Sequence, residues 1–191
     1  MFILFLILLG LSAINPYNRS DWYFEAAVPL GGALILLFRY NKFRFTNFSY
    51  RLLFLESIFL LIGAHYTHAH VPLFDWIRDY FGLARNDYDR LAHFAVGFLL
   101  AIPFRELIIR LTLLRKKSAS FFAVVSVLAM GAFYELTEWW VAITTSPGLG
   151  DAYLGTQGDV WDTQKDMLLD FVGAIVSTWS LGKVHDKILK K

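Results

Sequence analysis

Six apolar stretches constrain this sequence more than any other feature. They cover approximately residues 1–14, 23–38, 52–66, 91–111, 121–143 and 167–181. Several are shorter than the ~20 residues that normally span the core of a bilayer, so tilting or local thinning of the membrane must make up the difference. The connections between them are short. We therefore predict an all-α fold, a polytopic transmembrane bundle of about six helices that forms a single integral membrane domain over residues 1–191.

The composition excludes several other classes of protein. Hydrophobic residues make up 57% of the chain and charged residues 18%, against about 45–50% and 25% in soluble domains. Such an apolar chain is not intrinsically disordered, and the lack of cysteine excludes a disulfide scaffold and thiolate catalysis. The first stretch also fits a signal peptide. It lacks the basic start and the A-x-A cleavage site of one, which favours a retained helix.

The basic residues predict the orientation in the membrane. Thirteen of the 18 Lys and Arg residues lie between positions 39 and 51, between 105 and 117, or from 183 to the C-terminus. The positive-inside rule places these segments, and with them both termini, in the cytoplasm. Most acidic residues and five of the six tryptophans lie toward the opposite, outer side. The net charge of +2 thus reflects membrane orientation, and we expect no nucleic-acid partner.

Ionisable residues on three of the predicted helices share one depth near the outer side. At ~1.5 Å per residue, a layer within roughly 12 Å of the outer surface contains His93, Glu135, Glu138, Asp166 and Asp170. Ionisable residues inside a membrane are costly and mark functional sites. Carboxylates packed this closely repel one another, so they need a proton, a basic partner or a cation. Oxygen donors with one imidazole suit Mg²⁺, Mn²⁺ or Ca²⁺, and Zn²⁺ if further histidines join.

The spacing of these residues suggests their roles. Asp89 and His93 are four residues apart and Glu135 and Glu138 three, so each pair shares a helix face. We expect Glu135 or Glu138 to act as a metal ligand or general base, and His93 as a ligand or proton donor. The candidate metal ligands are His65, His93, Glu135, Glu138, Asp166 and Asp170. The candidate substrate contacts are Asp89, Asp159, Asp162, Trp139 and Trp161.

Each of these features also has a structural explanation. Residues 163–166, Thr-Gln-Lys-Asp, match a capping box, and Asn86 or Asp87 can cap the fourth predicted helix. Asp89 with Arg90, or His93 with a glutamate, can form a structural pair. His65 belongs to a His-x-x-His-x-His pattern that is weakly specific for metal. The glutamates at 135 and 138 are the hardest to explain, because two acids on one face of a buried helix need strong compensation.

The same motifs carry a resemblance to known families. The patterns D-x-x-x-H at 89–93, E-x-x-E at 135–138 and D-x-x-D-x-x-x-D-x-x-x-D at 159–170 resemble the VanZ-like pattern. Glu138 and Asp170 stand where that pattern has Gln and Asn. The chain from about residue 15, with the runs H-Y-T-H at 65–68 and G-T-Q-G at 155–158, is similar to the YjdF-type family of bacterial inner-membrane proteins. The resemblance implies the bacterial cytoplasmic membrane and, through VanZ, the cell envelope.

Three functions fit these observations. The leading hypothesis is a metal-dependent hydrolase or transferase at the outer leaflet that acts on a lipid or lipid-linked envelope intermediate. A divalent cation would polarise a phosphoryl or acyl group and activate a bound water. The alternatives are a non-catalytic binder or carrier of a cation, a proton or a lipid head group, and an envelope accessory protein. Transport through the membrane is less favoured, since the cytoplasmic half offers mainly Glu56, Arg105 and Glu106.

Overall fold

A computed structural model describes residues 1–145 and 154–190. Within these residues the chain forms seven helices and no strand. The helices are α1 (Phe2–Ser12), α2 (Arg19–Arg39), α3 (Asn47–Tyr66), α4 (Pro72–Phe81), α5 (Tyr88–Leu111), α6 (Lys116–Thr144) and α7 (Asp162–Ile188). The predicted all-α membrane fold is confirmed, and each of the six apolar stretches lies in a helix.

Four of the described helices, α2, α3, α6 and α7, are long and apolar enough to cross a membrane. Their outward faces carry large exposed apolar side chains such as Ile35, Phe133 and Trp179, as expected of surfaces in contact with lipid. Helix α5 is also long, at 24 residues, but it carries charged side chains near both ends. It tolerates them because they face neighbouring helices.

Helix α5 lies at the centre of the bundle. It packs most extensively against α7, and then against α6 and α3. One core cluster joins Leu99 and Ile102 of α5 to Leu52 of α3. A second joins Ala101 of α5 to Val127 of α6 and Ala174 of α7.

Two glycines let the backbones of α5 and α7 approach closely. A Cβ atom at Gly97 would overlap the backbone carbonyl of Asp170, and one at Gly173 would overlap the carbonyl of Phe94. Helices in lipid associate through such small residues, because no hydrophobic effect drives them together. This contact sets the distance between the two helices that carry most of the acidic residues discussed below.

Helix α4 is missing from the sequence prediction. It begins at Pro72, which suits the first turn, and ends at Gly82, whose φ of 64° is left-handed. None of its residues is buried, and Leu73, Trp76 and Tyr80 are exposed along one face. A search for continuous apolar stretches misses it because charged residues such as Arg78 interrupt its apolar positions.

Helix α1 is slightly shorter than its predicted stretch, since it ends at Ser12 rather than 14, whereas the other long helices extend beyond theirs at one or both ends. Helix α7 begins at Asp162 rather than near 167 and continues to Ile188 rather than 181. Helix α2 begins at Arg19, where the Asn18 side chain accepts hydrogen bonds from the Ser20 and Asp21 N–H groups. Hydropathy reports the apolar part of each helix, whereas caps and ion pairs set its ends.

The bundle has two distinct ends. At one end, which we call the site end, lie Tyr66 of α3, Tyr88 of α5 and Asp162 of α7. At the other, which we call the basic end, lie Arg39 and Lys116. Successive long helices run between the two ends in alternating directions.

A buried polar network closes the basic end. Glu106 of α5 accepts hydrogen bonds from the Thr46 N–H (2.8 Å), the Thr46 hydroxyl (2.7 Å) and the Ser49 hydroxyl (2.5 Å). Arg105 bonds to His185 Nδ1 of α7 at 2.8 Å. Since an arginine can only donate, the proton of His185 lies on Nε2, which is 3.5 Å from Glu106. This network, the Glu106 clasp, joins α3, α5 and α7.

Candidate functional site

His93 lies at the centre of an acidic cluster near the site end. Its Nε2 atom is 3.8 Å from Asp89 Oδ1 and 3.6 Å from Glu135 Oε1, and its Nδ1 atom is 3.4 Å from Asp170. The ring is buried. Since both ring nitrogens face carboxylates, the site favours positive charge, either on the imidazole or on a bound cation. We call Asp89, His93, Glu135, Asp166 and Asp170 the His93 cluster.

Three members of the His93 cluster have donor atoms close enough to share one metal ion. Asp89, His93 and Asp166 each offer one ligand atom, and these atoms all lie within 4.8 Å of one another. Two carboxylates and an imidazole are ligands that Mn²⁺, Mg²⁺ and Zn²⁺ accept. Of the metal ligands predicted from the sequence, His93 and Asp166 therefore lie within this group. Asp89, which was predicted as a substrate contact, is the third possible ligand.

Several buried carboxylate oxygens around His93 have no hydrogen-bond donor. They are Glu135 Oε1, Asp170 Oδ1 and both oxygens of Glu56. Glu56 of α3 is 3% exposed, and the charges of Asp170 and His93 act on it. It pairs with neither Arg51 nor Arg105 among the ion pairs of the described residues. Buried polar atoms are normally bonded, so these oxygens indicate a place for a proton or a ligand.

Glycine at position 131 makes room for Asp170. A Cβ atom there would overlap Asp170 Oδ2. Helix α6 thus presents bare backbone to the carboxylate of α7, one turn before it presents Glu135 to His93. Asp170 is fully buried as a result, held between α5 and α6.

Two arginines, Arg85 and Arg90, neutralise the outer part of the site. Arg85 pairs with Asp162 and lies 3.3 Å from Asp89. Arg90 lies 2.7 Å from Asp159, 2.6 Å from Asp162 and 3.1 Å from Asp166. The expected Asp89–Arg90 pair is therefore replaced by an Asp89–Arg85 pair. The sequence does not predict this role, because Arg85 lies in the loop between α4 and α5 and its position in the loop does not indicate which helix its side chain contacts.

Asp159 is the most exposed of these paired acids. It accepts a hydrogen bond from Lys165 Nζ at 2.6 Å and one from the Trp161 N–H at 3.0 Å. These two bonds hold the pKa of Asp159 below its ordinary value. With Asp162 and Thr163 it lines a shallow surface cavity of about 200 Å³.

Asn86 and Gln157 fix the loop above the site. The Asn86 N–H donates to Gln157 Oε1 at 2.9 Å, and Gln157 Nε2 donates to the Asn86 carbonyl at 3.0 Å. The Asn86 side chain also caps α5 by accepting from the Tyr88 N–H. Asp87 stands at the N-cap position of α5, but its side chain makes no capping hydrogen bond. Of the two predicted capping residues, Asn86 is therefore the one that bonds the start of the helix. The capping box at 163–166 does not form, because α7 begins at Asp162 and Thr163 faces Glu135.

The structure leaves some predicted residues apart from the His93 cluster. His65 Nδ1 lies 2.9 Å from the Ser12 carbonyl, in an apolar groove between α1 and α3. It faces α1 because its position on α3 points away from α5. Trp139 and Trp161 are 57% and 62% exposed, as residues at a membrane interface are. Glu138 is half-buried, and the charges of Glu135 and Glu25 act on it.

Comparisons with known proteins identify a family of membrane proteins. The family model described as "Predicted membrane protein (DUF2238)" matches residues 1–187. The chain is 36% identical over 186 residues to the inner membrane protein YjdF of Escherichia coli (strain K12), which covers 97% of this chain and 88% of that protein. No solved structure matches. The YjdF-type resemblance is confirmed, and the VanZ-like one stays a prediction.

Proposed function

The chain belongs to the DUF2238 family of predicted membrane proteins, and we propose that it is a divalent-metal-dependent enzyme acting on a lipid or lipid-linked envelope substrate. It is a multi-pass inner-membrane protein. With both termini in the cytoplasm, as the basic residues predict, the site end faces outward. The His93 cluster then lies at the depth of the outer lipid head groups.

The observation that carries this proposal is the convergence of Asp89, His93 and Asp166. Their donor atoms lie within 4.8 Å of one another, and the unbonded oxygens of Glu135 and Asp170 adjoin them. A divalent cation here would polarise a phosphoryl or acyl oxygen and activate a bound water. Glu135 approaches His93 from α6 and would serve as the general base or a further ligand.

The arginine pair suits a substrate with negative charge. Arg85 and Arg90 lie beside the possible metal ligands, and each already contacts carboxylates. Guanidinium groups bind phosphate through paired hydrogen bonds. When a cation and substrate bind, Arg85 and Arg90 would therefore release Asp89, Asp159 and Asp162 and would bind the phosphate group instead. The exposed Trp139 and Trp161 would contact the lipid part of the substrate.

Glu56 favours a second function, the non-catalytic binding or carriage of a cation or proton. It lies ten residues from the site end of α3, or about 15 Å along the helix. Both its oxygens are buried and without a donor. The ionisable groups therefore continue beyond the His93 cluster toward the bilayer centre, as a carrier requires and a surface enzyme does not.

Manganese binding to the full chain purified in mild detergent tests the site. Electron paramagnetic resonance of free Mn²⁺ should show binding that Asp89→Asn and Asp166→Asn weaken at least tenfold. Asp79→Asn is the matched control, since the Asp79 side chain is 68% exposed and contacts Arg78 in α4. Equal binding by the three variants and the unaltered chain would contradict the metal site.

Vesicles that contain polyprenyl diphosphate test the enzymatic part. With Mn²⁺ present, the unaltered chain should release inorganic phosphate or transfer the head group, and Glu135→Gln should abolish this. Metal binding without turnover of that substrate or of a total phospholipid extract would favour the binder.

A further inference from the structure

We propose that α4 is an interfacial helix that lies on the bilayer at the site end, with Leu73, Trp76 and Tyr80 inserted between the lipid head groups and the acyl chains. The partner of this surface is the lipid of that leaflet, and not a second protein. The inference goes beyond the proposed enzymatic function and does not depend on it, because α4 supplies no residue of the His93 cluster.

The large apolar side chains of α4 are more exposed than two of its three charged ones. Leu73, Trp76 and Tyr80 are between 60% and 70% exposed, whereas the side chains of Asp75 and Arg78 are 31% and 30% exposed. A helix on the surface of a soluble protein has the opposite arrangement, with its apolar face against the core and its charged face in water. The outward face of α4 therefore requires an apolar environment.

The exposed apolar residues form one continuous stripe. Leu73, Trp76 and Tyr80 follow one another at intervals of three and four residues, which places them on the same face of the helix. The rings of Trp76 and Tyr80 are stacked with their centres 5.5 Å apart, and the ring of Phe81 lies 4.9 Å from that of Tyr80. Tryptophan and tyrosine are enriched where a membrane meets water, because each joins an apolar ring to a polar group. The stripe therefore has the composition of an interfacial helix.

The connections of α4 hold it beside the bilayer. It joins the site ends of α3 and α5 through two short segments, residues 67–71 and 82–87. Phe74 packs against Tyr88 of α5 with the ring centres 5.5 Å apart, and Val71 belongs to the same core cluster. Helix α3 is long and apolar enough to cross a membrane. Helix α4 is therefore held at the level where α3 leaves the bilayer.

The charged residues of α4 pair with one another and leave no free positive charge for anionic lipids. Arg78, the one basic residue of the helix, lies 2.8 Å from Asp75 and 2.9 Å from Asp79. Interfacial helices that are attracted to anionic lipids carry several Lys or Arg residues on their polar face. Apolar contact, rather than attraction to charged head groups, therefore holds α4 on the membrane.

Asn86 links α4 to the loop above the His93 cluster. Its side-chain amide donates to Asp75 Oδ1 and to the Val71 carbonyl, each at 3.0 Å. Its backbone exchanges hydrogen bonds with the Gln157 side chain. Because α4 is anchored in lipid, this chain of bonds fixes the height of the loop relative to the head groups.

Nitroxide spin labels on the full chain in phosphatidylcholine vesicles test this placement. The chain contains no cysteine, so each label is attached to a single introduced one: Leu73→Cys or Tyr80→Cys on the stripe, Asp79→Cys as the water-facing control, and Phe133→Cys as the lipid-facing reference on α6. Asp79 is a matched control, because its side chain is 68% exposed and it adjoins Tyr80, which is 70% exposed. Electron paramagnetic resonance then compares relaxation of each label by oxygen, which concentrates in lipid, and by a water-soluble nickel complex.

The two relaxation agents separate lipid, water and protein as the surroundings of the stripe. Oxygen should relax the labels at 73, 80 and 133 severalfold more than the nickel complex does, with the stripe ~5–10 Å inside the boundary of head groups and acyl chains, and the label at 79 should show the reverse. The result should not change when phosphatidylglycerol replaces half of the phosphatidylcholine. A preference for the nickel complex at both 73 and 80 would overturn the proposal. Labels at both positions that neither agent reaches would also overturn it, since a protein would then cover the stripe.

Discussion

Alanine at Gly97 should separate α5 from α7 and open the His93 cluster. A Cβ atom at this position would overlap the Asp170 carbonyl oxygen and would lie 2.8 Å from the Asp170 carbonyl carbon and 3.0 Å from the Ala174 nitrogen. All three are backbone atoms of a helix. They cannot rotate away as a side chain would, so the helices themselves must move apart.

The expected cost follows from two opposing effects. Alanine stabilises a helix by about 1 kcal/mol relative to glycine, while overpacking a core typically costs about 1–3 kcal/mol. Gly182 of α7 is the matched control, because it is buried and a Cβ atom there would meet nothing within 4 Å. Both variants gain the same helix stabilisation. We therefore expect Gly97→Ala to be less stable than Gly182→Ala by about 3 kcal/mol, the upper end of that range.

Reversible unfolding in mixed micelles with increasing SDS measures this difference. Gly97→Ala should also bind Mn²⁺ more weakly, because a shift of α7 moves Asp170 away from His93, now 3.4 Å distant. Equal stability of the two variants would refute the close contact between α5 and α7. A destabilised variant with unchanged Mn²⁺ affinity would show that the contact does not position the site.

Two further predictions concern the two ends of the bundle. Glu106→Ala should lower the free energy of unfolding by about 3–5 kcal/mol, since it removes one member of a buried charged network and leaves Thr46 and Ser49 without their acceptor. Asp186→Asn should lower it much less, because the Asp186 side chain is partly exposed. Equal effects of the two changes would contradict the Glu106 clasp. Reporter fusions in the loops at residues 69–86 and 144–164, of which 146–153 lie outside the described part of the chain, should report an extracytoplasmic location, and a cytoplasmic signal at either would contradict the orientation.

The sequence predicts the helices through their apolar residues and the His93 cluster through depth. Counting 1.5 Å per residue places His93, Glu135 and Asp170 in one layer, and the structure brings these three side chains into contact. Depth along a helix does not determine direction around it, which is why His65 faces Ser12 instead. His65 lies at the depth of the His93 cluster, but on the face of α3 that is directed toward α1.

The sequence does not predict contacts between loops and helices that are far apart along the chain. Arg85 reaches Asp162 across 77 residues, and Gln157 reaches Asn86 across 71. Neither pair has a local spacing that a pattern search can detect. The hydrogen bond from Tyr134 to Glu25 has no local signal for the same reason, because the two residues are 109 positions apart and meet only in the folded bundle.

The ion pairs at the site end bear on the orientation of the whole chain. Five basic residues lie outside the thirteen that define the basic end, and the structure gives four of them carboxylate partners: Arg78, Arg85, Arg90 and Lys165. The fifth, Arg19, donates to the Ala13 carbonyl. Of the thirteen at the basic end, Arg105, Arg110 and Lys116 are the ones with a carboxylate partner among the described residues, so unpaired basic residues are concentrated at that end. At the site end, by contrast, Asp21, Glu25 and Glu138 are acids without Lys or Arg partners among the described residues, so the excess of acidic groups there is the counterpart of the excess of basic groups at the other end.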